Sequence, residues 1–346
     1  MKYTKVLCNE IVNQVTVSKA NLKPVGTLSV APMMDWTDRH CRYFHRLLSP
    51  SALLYTEMLT TGALLHGDKQ RLLAFDNVEQ PLALQLGGSN PEDMAVCALF
   101  AQQVGYQEVN INVGCPSDRV QNGRIGACLM AEPELVAQCV AEMRERVDIP
   151  ITVKTRIGID DLDSAEFLMN FVGIVAEAGC ETFIIHARKA ILSGLSPKEN
   201  RTIPPLNYQR AYQVKEIFPD LSIVINGGIQ AVNEIPQHWE KLDGVMIGRA
   251  AYHNPFILAE IEHQLFSQPL LDREKVLFDF IPYVEKQLTL GVSLQSMTRH
   301  ILGLFAGQPG GKHWRRYLSE HARAKDAGSD VLLQALAAMR PYASIN

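Results

Sequence analysis

Eight short runs with the composition of β-strands recur along the first three-quarters of the chain, and helical segments such as 91–105 and 133–147 separate most of them. Strands that alternate with helices in this way are typical of a parallel sheet. Eight such units within about 220 residues predict a closed (β/α)8 TIM barrel. The runs are LSVAPM (28–33), ALLYTEM (52–58), PLALQLGG (81–88), EVNINVGC (108–115), PITVKTRIG (150–158), TFIIHAR (182–188), SIVINGGI (222–229) and GVMIGRA (244–250).

The main alternative to a barrel is an open, doubly wound sheet, which would place a glycine-rich fingerprint directly after the first strand. The first run leads instead into Pro32-Met33-Met34, so the barrel is favoured. From about residue 270 onward the strand-like runs stop, and REKVLFDFIPYVEKQL and the rest of the chain keep helical spacing. The predicted parts are an N-terminal extension over 1–27, the barrel over 28–266 and a small all-helical C-terminal domain over 267–346.

The composition excludes several classes of protein. The 346 residues are 47% hydrophobic and 20% charged, which is normal for a soluble globular protein. No run of 18 or more apolar residues occurs, and the first residues lack a signal-peptide core, so neither a membrane span nor secretion is expected. Seven cysteines are scattered without a C-x-x-C pair, which favours a reduced cytoplasmic protein over a disulfide scaffold or a zinc site.

The net charge of −4 is unevenly distributed. From Gln264 onward there are ten Lys and Arg against seven Asp and Glu, whereas the rest of the chain has 23 against 30. An acidic body with a mildly basic tail is a weak indication of an acidic partner such as RNA.

The segment EVNINVGCPSDRVQNGRIGACL (108–129) indicates a ligand site. Apolar Val109, Ile111 and Val113 alternate with Asn110 and Asn112, which is the period of a strand with one apolar face and one amide face. Asparagines inside a sheet are costly unless they are hydrogen-bonded. The strand leads directly into Gly-Cys-Pro, so a single thiol is expected on a turn at the mouth of the barrel.

The same alternation predicts which side chains of the other strands point into the barrel. An interior with so many polar groups is not needed for packing and indicates a polar ligand with a wide hydrogen-bonding edge. The residues predicted to face inward are Gln85, Asn110, Asn112, Thr152, Lys154, Arg156, His186, Arg188, Asn226 and Gly228.

The last two strand ends carry the pairs Gly227-Gly228 and Gly248-Arg249. Barrels often bind phosphate at this position through backbone N–H groups, and arginine adds a charge-assisted contact. A phosphate here and a planar ring over Gln85 and Lys154 together suggest FMN, with the lysine stabilising the reduced ring.

Simpler interpretations exist for each feature alone. A Gly-Gly pair is most often just a turn, and a lone cysteine is most often a small buried hydrophobe. Within 35–38 the sequence Asp-Trp-Thr-Asp fits a helix N-cap, with Thr37 or Asp35 capping. The combination is more specific, because all of these residues fall at the same end of one predicted barrel.

Together the motifs resemble those of the tRNA-dihydrouridine synthase family, collinearly from about residue 28 to 260. Segments 189–208 and 300–320 resemble the A subfamily of that family in particular. The motifs are APMMDWTDRHCR (31–42), NVGCPS (112–117), VKTRIG (153–158), IIHAR (184–188), NGGI (226–229) and IGRA (247–250).

The resemblance implies an FMN enzyme that reduces the C5–C6 bond of D-loop uridines at positions 20 and 20a of tRNA, with NADPH as reductant. It assigns the proton donor to Cys115 and the orientation of tRNA to Asn112, Lys198, Arg201, Arg315 and Arg316. It assigns the FMN contacts to Pro32, Met33, Met34, Gln85, Lys154, His186, Asn226, Gly227, Gly228, Gly248 and Arg249.

The chemistry agrees with a thiol as the acid. Reduction of uracil requires a hydride at C6 and a proton at C5, and a thiol with an ordinary pKa of roughly 8.5 is mostly protonated at pH 7. We therefore expect Cys115 to lie outside any strongly electropositive pocket, which would favour a thiolate instead. The uridine must also leave the tRNA fold to reach the flavin.

Two other functions remain possible at this point. An FMN dehydrogenase acting on dihydroorotate or a free pyrimidine would explain the barrel but not a helical tail with Lys312, Arg315 and Arg316, which share one helix face. An RNA-binding barrel without flavin would not explain the complete set of flavin positions. No metal, membrane or obligate protein partner is expected.

Overall fold

The computed structural model describes residues 28–117 and 123–343, so the predicted extension over 1–27 lies outside the described residues. Within this part of the chain, nine strands form one sheet in which neighbouring strands are parallel. In chain order they are β1 (Leu28–Val30), β2 (Leu53–Tyr55), β3 (Leu59–Thr60), β4 (Leu82–Gly87), β5 (Glu108–Val113), β6 (Ile151–Arg156), β7 (Thr182–His186), β8 (Ser222–Asn226) and β9 (Gly244–Ile247).

The sheet closes on itself. Strand β1 pairs with both β2 and β9, and β2 also pairs with β4, so eight strands form a ring. The predicted (β/α)8 barrel is confirmed. Strand β3 is an addition to the predicted elements: it is a two-residue strand that pairs with the end of β4 through Leu59↔Leu86 and Thr60↔Gly87.

Helices surround the barrel and make up the C-terminal region. None of the described helices is long and apolar enough to cross a membrane. They are α1 (Arg39–Leu48), α2 (Thr61–His66), α3 (Lys69–Leu73), α4 (Pro91–Val104), α5 (Pro133–Arg146), α6 (Ala165–Glu177), α7 (Tyr208–Ile217), α8 (Pro236–Trp239), α9 (Arg249–His253), α10 (Ile257–Phe266), α11 (Arg273–Thr289), α12 (Leu294–Thr298), α13 (Gly311–His321), α14 (Asp330–Ala337) and α15 (Arg340–Ala343).

Helix α4 shows why the sequence pattern predicts these helices well. The side chain of Asn90 caps its first turn by accepting from Asp93 N–H, and Pro91 occupies the first helical position. Gly105 ends the helix with φ 105°, a left-handed conformation that favours glycine. Its start and its end, predicted as 91 and 105, agree with the structure within one residue.

The strands are shorter than the predicted runs, and most of the difference is at their carboxyl ends. The run 222–229 ends as a strand at Asn226, because Gly227 and Gly228 have positive φ values of 106° and 81°. The run 28–33 likewise ends at Val30. The excess residues form the loops at the mouth of the barrel, where a ligand is expected.

A helix N-cap does lie within residues 35–38, but the residue predicted to form it is wrong. Asp38, not Thr37 or Asp35, caps α1 by accepting from the N–H groups of His40 and Cys41. Thr37 Oγ1 instead bonds the backbone of Met33, which fixes the turn after β1. The cap has shifted because this turn occupies the two residues before Asp38.

The C-terminal region is helical, as predicted, and it packs on α1. Tyr43 stacks on Tyr283 of α11 with ring centroids 3.9 Å apart, and Phe44 meets Phe280 edge-on at 5.2 Å. At the start of α1, Asp38 Oδ2 lies 2.7 Å from Arg299. We call this contact surface, formed by residues 38–48 with 280–300, the α1 junction. The division of the chain at residue 266 remains a prediction.

Candidate active site at the mouth of the barrel

A cavity of about 1130 Å³ opens at the carboxyl ends of the strands. Fourteen of the seventeen residues predicted for the site line this cavity, although they come from seven different strand ends. The fourteen are Pro32, Met33, Met34, Gln85, Asn112, Cys115, Lys154, His186, Arg201, Asn226, Gly227, Gly228, Gly248 and Arg249.

The inward orientation predicted for the amide side chains is confirmed. Gln85 Nε2 donates to Asn110 Oδ1 at 2.8 Å, and Asn112 Nδ2 donates to Gln85 Oε1 at 2.8 Å. The pairing of β4 with β5 sets Gln85 opposite Asn110, so strand register brings these groups together. Buried amides that bond one another in this way form a rigid polar floor.

Lys154 points into the cavity above this floor. Its Nζ donates to Asn226 Oδ1 at 3.0 Å, while Asn226 Nδ2 donates to the carbonyl of Met246 at 2.8 Å. Burial and, to a smaller extent, the positive charge of Arg156 lower the pKa of Lys154 to about 7, with Cys115 acting in the opposite direction. A buried amine without a carboxylate beside it gains from a bound anion.

His186 and Arg188 both carry unpaired polar atoms in the wall of the cavity. His186 Nδ1 and Arg188 Nε are buried and have no hydrogen-bond partner among the described residues. Burial, followed by the charges of Arg156 and Lys154, lowers the pKa of His186 well below its ordinary value. Unpaired buried polar atoms are rare in folded proteins, and they are expected where a ligand supplies the missing hydrogen-bond partner.

The glycines at this end have protein side chains packed closely against their backbone. A Cβ on Gly227 would lie 3.1 Å from the ring of His186, and one on Gly228 would lie 2.4 Å from Leu206. Both residues also have positive φ. Both positions therefore require glycine, and two glycines that line the cavity suit a phosphate such as that of the predicted FMN.

Arginine side chains form hydrogen bonds with the loop 189–208 at the edge of the cavity. Arg156 donates to the carbonyls of Gly114 at 3.0 Å and Asn200 at 2.9 Å, and Arg249 donates to the carbonyl of Arg201 at 2.9 Å. Arg156 thereby joins the turn before Cys115 to the loop that carries Lys198 and Arg201.

Cys115 is half-buried in the cavity wall. Its N–H donates to Asn112 Oδ1 at 3.0 Å, and its Sγ lies 3.6 Å from Ser117 Oγ. The expectation that it lies outside an electropositive pocket is wrong, because Lys154, Arg156 and Arg201 all interact electrostatically with it. Cations from strand β6 and from the loop 189–208 therefore lie in the same cavity as the thiol.

Three predicted residues do not line the cavity. Lys198 is exposed, although it lies between Pro197 and Arg201, which do line it. Arg315 and Arg316 are exposed on α13, and Arg316 Nε is 2.8 Å from Glu320.

Two further residues, Arg156 and Arg188, line the cavity although the sequence predicts only that they face inward and assigns them no role in the site. Their parity with Lys154 and His186 is the signal that could have placed them there.

A family model for dihydrouridine synthases matches residues 29–340, which is most of the chain. The chain belongs to the dihydrouridine synthase family. The tRNA-dihydrouridine(20/20a) synthase of Vibrio cholerae serotype O1 is 62% identical over 318 residues, covering 91% of this chain and 97% of the relative. Enzymes of the same name from Yersinia pestis and Escherichia coli K12 are 59% and 58% identical, over 92% and 90% of this chain and 93% and 91% of theirs.

Membership of the dihydrouridine synthase family makes the protein an oxidoreductase and confirms the resemblance found in the motifs. Among the described residues, no cluster of three His, Cys, Asp or Glu side chains could hold a metal ion.

Proposed function

We propose that this dihydrouridine synthase reduces uridines 20 and 20a in the D-loop of tRNA to 5,6-dihydrouridine, with FMN as cofactor and NADPH as reductant. One observation carries the proposal: Cys115 lines the same cavity as Lys154, Arg249 and the glycines Gly227, Gly228 and Gly248. An acid, a ring site and a phosphate site thus share one cavity. The relatives named tRNA-dihydrouridine(20/20a) synthase support the choice of substrate.

The cavity residues divide between the two ends of the cofactor. Gly227, Gly228, Gly248 and Arg249 suit the phosphate, since three lack side chains and the fourth is a cation. The other assigned contacts, which suit the ring, are Pro32, Met33, Met34, Gln85, Lys154, His186 and Asn226. When bound, FMN supplies the hydride that C6 of the uracil receives, having been reduced by NADPH.

Cys115 supplies the proton. Its S–H bond breaks as a C–H bond forms at C5, and the thiolate later regains a proton from solvent. Lys154, Arg156 and Arg201 line the same cavity as this thiol. Asn112, whose Oδ1 holds the Cys115 N–H, places the acid and the uracil relative to each other.

The remaining assigned residues orient the tRNA. Lys198 and Arg201 lie in the loop beside the cavity, where they suit phosphates close to the extruded uridine. Arg315 and Arg316 are on the exposed surface of α13, where they suit phosphates of the tRNA elbow. We place this activity in the cytoplasm, in agreement with the scattered cysteines.

The test is reduction of tRNA by the purified protein. With FMN and NADPH, tRNA from a strain lacking the gene should gain dihydrouridine at positions 20 and 20a, mapped by nucleoside analysis of tRNA fragments. Free uracil, uridine and dihydroorotate serve as parallel substrates. Turnover of dihydroorotate or a free pyrimidine without any change in tRNA would overturn the proposal in favour of a small-molecule dehydrogenase.

A further inference from the structure

A continuous line of hydrogen bonds runs inside the barrel, from below the cavity to the turn that carries Cys115. We call its side chains the amide relay: Glu108, Thr152, Asn110, Gln85 and Asn112. Tyr55 joins the line at its lower end. The links are Tyr55 Oη to Glu108 Oε1 (2.6 Å), Thr152 Oγ1 to Glu108 Oε1 (2.7 Å), Asn110 Nδ2 to Thr152 Oγ1 (2.9 Å), Gln85 Nε2 to Asn110 Oδ1 (2.8 Å), Asn112 Nδ2 to Gln85 Oε1 (2.8 Å), and the N–H groups of Gly114 (3.1 Å) and Cys115 (3.0 Å) to Asn112 Oδ1.

The lower end sets the direction of every link. A carboxylate oxygen accepts, so the hydroxyls of Tyr55 and Thr152 both donate to Glu108 Oε1. Thr152 has then used its only hydrogen and must accept from Asn110. The amide nitrogen of Asn110 therefore points down and its oxygen points up, and the same reasoning orients Gln85 and Asn112 in turn.

The upper end requires the same direction independently. The backbone N–H groups of Gly114 and Cys115 can only donate, so the group that faces them must be the oxygen of Asn112. The nitrogen of Asn112 then faces Gln85, whose oxygen accepts from it. Because both ends agree, each amide of the relay has one permitted orientation.

Only the two upper side chains of the relay, Gln85 and Asn112, line the cavity. In each of them the oxygen already accepts a hydrogen bond within the relay, and the nitrogen has a second hydrogen to donate. The floor of the cavity therefore offers N–H donors to carbonyl oxygens, which both a uracil and a flavin ring carry.

We propose that Thr152 and Glu108 are positioning residues that act from below the cavity. They hold Gln85 and Asn112 with their N–H groups toward the ligand, and through Asn112 they hold the Cys115 turn. This inference rests on the proposed function only for the identity of the ring and the uridine. Neither Thr152 nor Glu108 lines the cavity, and both are buried.

A purely structural role makes a different prediction, and Tyr55 provides the matched control. Thr152→Val and Tyr55→Phe each remove one hydroxyl that donates to the same oxygen of Glu108. If the hydroxyls only stabilise the carboxylate, the two variants should behave alike. If the relay transmits orientation, only Thr152→Val should change the cavity, since Tyr55 lies outside the line between Glu108 and Cys115.

Three measurements compare Thr152→Val, Thr152→Ser and Tyr55→Phe with the unchanged protein. They are the FMN dissociation constant of flavin-stripped protein by fluorescence quenching, the alkylation rate of Cys115 resolved by peptide mass, and kcat and KM with tRNA. We expect Thr152→Val to weaken FMN binding about five- to tenfold, the value of one neutral hydrogen bond, and to lower kcat by at least as much. It should also alter the Cys115 rate more than threefold, whereas Thr152→Ser and Tyr55→Phe stay within about twofold.

Equal behaviour of Thr152→Val and Tyr55→Phe in FMN binding and alkylation would overturn the relay. If Thr152→Val is insoluble, Asn110→Ala interrupts the relay one link higher and leaves both hydroxyls on Glu108. The same changes are then expected of Asn110→Ala, and its equality with Tyr55→Phe would likewise overturn the relay. Absence of tRNA reduction by the unchanged protein would refute the proposed function alone, because the alkylation and binding measurements still decide on the relay.

Discussion

Two regions of this molecule bring several charged side chains together: the cavity at the barrel mouth and the α1 junction. At the junction opposite charges meet, since Asp38 Oδ2 lies 2.7 Å from Arg299, and the same oxygen lies 3.0 Å from His300 Nε2. The cavity instead collects cations. Among the described residues, none of these five forms an ion pair with Asp or Glu: Lys154, Arg156, Arg188, Arg201 and Arg249.

The pKa shifts in the two regions differ accordingly. Burial raises the pKa of Asp38, but the hydrogen bond and charge of His300, with Cys41 N–H and Arg299, lower it overall far below its usual range. In the cavity, burial and like charge lower the pKa of Lys154 to about 7. The junction thus has its partners within the chain, whereas the cavity gains stability from an anionic ligand.

The largest effect should come from the cavity thiol. Cys115→Ala should reduce dihydrouridine formation in tRNA by about 10²–10⁴-fold, the usual contribution of a positioned acid, while NADPH oxidation through bound FMN continues. The measurements are single-turnover reduction of tRNA and stopped-flow flavin reduction. Cys41→Ala at the junction is the control and should leave both rates within about twofold. An equal collapse of flavin reduction in Cys115→Ala would mean that the thiol is structural.

A substitution at the α1 junction should change the free energy of unfolding of the protein. Asp38→Asn keeps a capping side chain but leaves Arg299 and His300 without their anion, so the free energy of unfolding should fall by about 2 kcal/mol. Because the folded pKa of Asp38 is depressed, its contribution is present above pH ~4, the range of a free carboxyl, and is lost as the pH falls further. Urea unfolding at pH 7 and at pH 3 measures the loss in the free energy of unfolding and its dependence on pH. A variant that loses as much stability at pH 3 as at pH 7 would contradict the ion pairs.

Lys154→Met should act in the opposite sense on the flavin-free protein. Removing a half-buried amine that has no carboxylate partner should raise its free energy of unfolding by about 1 kcal/mol, yet weaken FMN binding about tenfold. In the unchanged protein FMN affinity should fall as the pH rises above 7, since the protonated amine is the stronger hydrogen-bond donor to the ring and its folded pKa is about 7. Fluorescence titration from pH 6 to 9 measures this slope, which should flatten in Lys154→Met. A slope that persists there would assign the titration to another group.

The smallest effect should come from α13. Arg316 already pairs with Glu320, whereas Arg315 forms no ion pair with a described residue, so Arg315 has more to gain from a phosphate. Arg315→Ala should weaken tRNA binding about threefold and lower the slope of affinity against salt by about 1, with FMN content unchanged. Arg316→Ala should change the tRNA affinity and the salt slope less than Arg315→Ala does. Binding isotherms at several salt concentrations measure the affinity and its salt slope. An unchanged slope in the double variant would show that the tRNA binds elsewhere.

The sequence predicts the inner surface of the barrel well, because strand alternation is a local property. Gln85, Asn112 and Lys154 are all predicted to face inward from the pattern of their own strands, and the structure puts them there. The loops are predicted less well. Strand β3 and the true end of β8 depend on backbone angles and pairing that no local pattern reports.

Long-range electrostatics could not be predicted from the sequence. Asp38 and Arg299 are 261 residues apart in the chain, and no local pattern links them. The closeness of Arg156 and Arg201 to Cys115 escapes prediction for the same reason, although Arg156 is predicted to face inward and Arg201 to orient the tRNA. Glu108 escapes it as well, because a glutamate at the start of a strand usually lies at the surface, whereas here it is 4% exposed.

Helix α1 has a consequence for engineering. Its outer face contacts α11 through Tyr43 and Phe44. The loop that leads into its first residues lines the cavity. A chimaera that borrows the helical tail of a relative to redirect this barrel toward another uridine must therefore borrow that face of α1 with it. A tail grafted alone would pack against aromatic rings that do not match its own side chains. The poor packing would then disturb the loop that lines the cavity.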